Sequence, residues 1–99
     1  MNKLYPVIEH IHVNRDLLTE SEIWRAIDLF PEQDLIDVSD RLLRFNSGLP
    51  GAIVVKMAGI GEFYRTNLFL TQAQHRFLAR ACIDHWHKLD FTERLALDL

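Results

Sequence analysis

Ninety-nine residues, 48% apolar and 25% charged, are the make-up of one ordinary globular domain, long enough for a single core and too short for two. The formal charge of −3, with only three lysines, supplies no basic field for phosphate neutralisation, and no stretch reaches the length of a membrane-spanning helix. The start "MNKLYPVIEH" lacks the apolar run and cleavage site of a signal peptide, and the single cysteine, Cys82, has no mate for an internal disulfide. These features favour a reducing cytoplasm.

The chain is read as one globular domain over residues 1–99, without repeats, low-complexity tracts or linkers. In "YPVIEHIHV", Tyr5, Val7, Ile11 and Val13 alternate with Pro6, Ile8, His10 and His12. That predicts an N-terminal strand over about 7–13, with Glu9 as the misfit. Leu4, Ile8 and Ile11 fit a helix about as well, with Pro6 tolerated in its first turn.

"TESE" pairs Thr19 with Glu22, a capping box, and Ile23, Ile27 and Phe30 follow at helical spacing. A helix over about 20–30 is expected, stopped by Pro31, which disfavours helical geometry in the residue before it. Leu35, Val38, Leu42 and Phe45 predict a second helix over about 32–45, with Asn46 and Gly48 as its stop.

After "GLPG" the composition changes. "AIVVKM" (about 52–57) is β-branched and "EFYRTNLFL" (about 62–70) is aromatic-rich, with "AGIG" between them, so the pair reads as an antiparallel β-hairpin. "TQAQ" repeats the capping-box logic and starts the longest helix, about 72–89, and "DFTE" starts a tail helix over about 91–98. The expected fold is therefore α+β: mainly helical, with a small antiparallel hairpin covered on one face.

"DHWHKLD" (84–90) is the most suggestive stretch for chemistry, because two histidines flank a tryptophan. On a helix, His85 and His87 point about 160° apart and share no metal ion. His87 falls with Arg76, Arg80 and Asp84 on a polar face, where Arg80 and Asp84 form an i,i+4 pair. His85 falls in the apolar arc near Cys82, about 60° away. Its commonest role there is a half-buried ring bonded to a carbonyl or side chain.

A Cys82–His85 pair joined by His10 or His12, which share a face if "HIH" is a strand, is the chemical alternative: a small enzyme or metal-binding protein. No oxyanion group, further cysteine or phosphate-loop spacing accompanies it, and no cofactor is expected.

Charge is distributed unevenly. Residues 16–40 hold eight acids and one base, Arg25, for a net −7, leaving +4 on the rest. Acids at helix starts and on solvated faces explain much of this, including the acid-first pairs Asp37–Arg41 and Asp40–Arg44. The remainder suits a basic partner protein, with Glu20, Glu22, Asp28, Asp34 and Asp37 steering it and Trp24 as anchor. In size, acidity and lack of catalytic motifs the chain is similar to small bacterial inhibitor or immunity proteins that neutralise basic toxic nucleases. That resemblance is one of composition and rests on no motif. It implies a cytoplasmic, non-enzymatic protein-binding module, with no membrane association and no direct contact with nucleic acid.

Overall fold

Leu4, Ile8 and Ile11 recur at four and three residues, and these are the side chains that α1 (Leu4–Val13) buries. The computed structural model describes residues 3–45 and 48–86. The first element is thus a helix, and the strand expected over 7–13 is not formed. The alternation that suggested it places Val7 and Val13 in solvent, whereas the helical spacing collects the three large aliphatics on one stripe.

A single 3₁₀ turn, Arg15–Leu17, leads into α2 (Glu20–Ile27). The capping box forms as read: Thr19 Oγ1 accepts from Glu22 N–H at 3.1 Å, and the Glu22 carboxylate accepts from Thr19 N–H at 3.1 Å. Ile23 and Ile27 are buried, and the helix stops short of the expected residue 30. Phe30 still enters the core from the connection, and Pro31 O receives the first helical N–H, that of Leu35 at 3.0 Å. α3 (Glu32–Phe45) follows with Leu35, Val38 and Leu42 fully buried.

The largest departure lies between residues 51 and 67. No strand occurs among the described residues, and the expected hairpin (52–57 with 62–70) is one 17-residue helix, α4 (Gly51–Asn67). The fold is all-α rather than α+β. Tertiary burial overrides β-propensity here: Ile53, Met57, Ile60 and Tyr64 recur at four, three and four residues and face the bundle. No glycine has a positive φ, so "AGIG" makes no turn. The helix begins at Pro50, whose carbonyl accepts from Ile53 and Val54, and ends where Leu68 turns left-handed (φ 63°), its N–H bonded to Tyr64 O at 2.7 Å.

α5 (Gln72–Asp84) opens with the second capping box, Thr71 with Gln74. It ends at His85, whose N–H reaches Ala81 O at 3.1 Å. The expected extension to residue 89 and the tail helix over 91–98 lie outside the described residues. α5 is the central element: α1, α2, α3 and α4 all pack on it, and it supplies Leu78, Ala79, Cys82 and Ile83 to the core. Two half-buried histidines tie it to its neighbours. His75 Nε2–H donates to Phe30 O at 2.8 Å, and Ile83 O accepts from His12 Nδ1–H at 3.2 Å.

Candidate protein-binding surface

Glu20, Trp24 and Asp28 are spaced by four on α2 and share one face. Arg76 and Arg80, also four apart, face them from α5 in the antiparallel sense. Arg80 grips Glu20 with two bonds (2.9 and 3.1 Å), and Arg76 grips Asp28 with two more (3.1 and 3.2 Å). The Trp24 ring lies between the pairs, its centroid 5.6 Å from the Arg76 guanidinium carbon and 5.4 Å from that of Arg80. The result is a ladder of two ion pairs and one half-buried indole along the α2–α5 seam.

The electrostatics follow from this geometry. Hydrogen bonds from Arg80 hold the Glu20 carboxyl below the usual glutamate value, and the same contact raises the Arg80 guanidinium. Asp84, one turn further along α5, takes Arg80 at 3.4 Å, the i,i+4 pair expected from the sequence, and also binds Arg15. The Glu22 carboxyl is likewise held low, first by the Thr19 backbone N–H and then by the Thr19 side chain.

The six residues proposed to meet a partner therefore do not form one patch. Glu20, Trp24 and Asp28 belong to the ladder. Glu22 lies about 200° around α2 from Glu20, exposed and engaged in its cap. Asp34 is half-buried in the first turn of α3, where a carboxylate suits the helix dipole. Asp37 is exposed and accepts from Gln33 Nε2 at 3.0 Å. The sequence pointed to the acids but not to their internal partners: Arg76 and Arg80 read as a solvated face, and only the i,i+4 repeats on both helices hinted that the two could register. Asp40 has a distant partner of the same kind, Arg65 of α4 at 3.1 Å.

The alternative site is not assembled. Cys82 is completely buried, and burial pushes its thiol up to about 12, the reverse of what a nucleophile needs. His10 and His12, on a helix rather than a strand, point about 160° apart. His10 is exposed and its Nδ1 accepts from the Asn14 amide, while His12 turns inward to Ile83. Among the described residues no group of three or more His, Cys, Asp or Glu side chains is placed to hold a metal ion. His87 lies outside those residues.

None of the described helices is long and apolar enough to cross a membrane. Comparison of the chain with protein-family models, with curated proteins and with solved structures finds no match.

Proposed function

We propose that the protein is a small protein-binding module of inhibitor or immunity type, engaging a basic partner such as a toxin nuclease through the acidic surface of α2 and α3. One observation carries the reading. Glu20, Asp28 and Asp40 are matched internally by arginines, whereas Asp16, Glu22 and Asp37 of the same acidic segment face solvent. An outward acidic field of this kind speeds encounter with a basic protein and repels acidic ones. Trp24 is a weaker anchor than an open indole would be, since two guanidinium groups already cover it.

The test is partner capture from the host followed by association kinetics across a salt series. The reading expects the on-rate to fall steeply as salt rises, and to fall at low salt in Asp16→Lys/Asp37→Lys. Glu22→Gln, which keeps the capping box, should lower it more mildly. Kinetics indifferent to salt and to all three substitutions would remove the proposal.

A further inference from the structure

Residues 16–29 are fastened to the bundle by one short helix and an exposed ion-pair ladder. α2 has eight residues, fewer than the roughly 12–15 at which an isolated helix becomes marginal in water, so it persists only while docked. Its fully buried apolar anchors are Ile23 and Ile27, and among the described helices it packs chiefly on α5. Leu18, Trp24 and Ala26 pack half-buried against the same core, and the polar attachment is the ladder, whose acidic side chains are open to water: Glu20 is 67% exposed and Asp28 46%. Salt screens pairs of this kind.

The two ends of the segment are held separately. Before it, Arg15 is pinned to Asp84. After it, Phe30 is buried and its carbonyl accepts from His75. Between each pin and α2 the chain carries exposed side chains, Leu17 at 81% and Leu29 at 83%, with Leu18 half-buried against the core.

We infer that residues 16–29 form a clip that opens as a unit, hinged at Arg15 and Phe30 and latched to α5 by the Glu20–Arg80 and Asp28–Arg76 pairs across Trp24. Closed, Arg76 and Arg80 occupy the acids and the indole. Open, they release that face to solvent or to a competing cationic side chain. The inference concerns the free protein and goes beyond partner binding, so it stands or falls whether or not a basic partner exists.

Amide hydrogen exchange, followed residue by residue on the full chain, tests it. Between about 50 mM and 1 M sodium chloride, exchange of the 23–28 amides should quicken about three- to tenfold while the central amides of α3 and α5 hold their rates. Arg76→Gln/Arg80→Gln should quicken the same amides at low salt and abolish their salt response. The reversed pair Asp28→Arg/Arg76→Glu should recover protection lost in Arg76→Glu alone. Exchange of 23–28 in step with α3 and α5, or without response to salt in the wild-type chain, would overturn the clip; that series decides the matter even if a variant fails to fold.

Discussion

Trp86 joins the end of α5 to α1. Its indole is fully buried, lies 5.6 Å from the Tyr5 ring centroid, and donates its N–H to the Glu9 carboxylate. Glu9 is the residue that fitted no strand in "YPVIEHIHV", and the helix shows why: it reaches a buried donor 77 positions away. So, among the described residues of "DHWHKLD", the tryptophan is the one in the core, and His85 is the half-buried cap of the helix before it. Cys82, three residues back, carries a sharper consequence. Ionising a buried thiol costs extra free energy because the thiolate loses its hydration, so its pKa rises from 9.0 to about 12. The thiol's contribution to stability is complete below pH 9, its unfolded value, and is lost as pH climbs from there through about 12. A thiol-specific disulfide reagent at pH 8 should leave the native protein unmodified and label one cysteine in denaturant; rapid native-state labelling would show that Cys82 is accessible.

At the scale of elements, α4 concentrates what the sequence concealed. Capping boxes made the starts of α2 and α5 legible, because Thr with Glu or Gln three residues later is a local signal with a local cause. α4 has no side-chain cap, is rich in β-branched residues and holds three glycines, so its local signals argue against a helix that tertiary packing nonetheless secures. Only the spacing of Ile53, Met57, Ile60 and Tyr64 carried the correct period. The glycines divide the two readings experimentally. A Cβ at Gly59 would meet nothing within 4 Å, and the residue lies mid-helix without a positive φ. Gly59→Ala should therefore stabilise the protein by about 0.5–1 kcal/mol in urea unfolding. In a hairpin turn that needed a positive φ the same change would destabilise, and a lowered midpoint at unchanged slope would count against α4. Gly61 is buried beside Arg65 and Asp40, 3.4 Å and 3.7 Å from the place of a Cβ, so the same gain is not expected there.

For the whole molecule, the uneven charge of the chain is partly a property of the unfolded string. The −7 of residues 16–40 and the +4 elsewhere are interleaved by folding, since α5 lays Arg76 and Arg80 against α2 and α4 lays Arg65 against Asp40. Composition could show the imbalance but not the registration, which depends on contacts 25 to 60 residues apart in sequence. The same non-locality explains why helices over about 20–30 and 32–45 could be read directly, the first ending early at Ile27, while the all-α architecture could not. A hairpin at 52–70 would have left α5 one sheet face to cover, whereas α4 supplies a helical face that completes the frame around Met57 and Leu78. That frame sets which acids turn inward to arginines and which face solvent. Backbone ¹³C chemical shifts of the full chain measure it most directly. Residues 51–67 should show one unbroken run of helical Cα and Cβ secondary shifts; extended-type shifts over 52–57 and 62–70, separated by a turn at 58–61, would contradict the fold and the surface built on it.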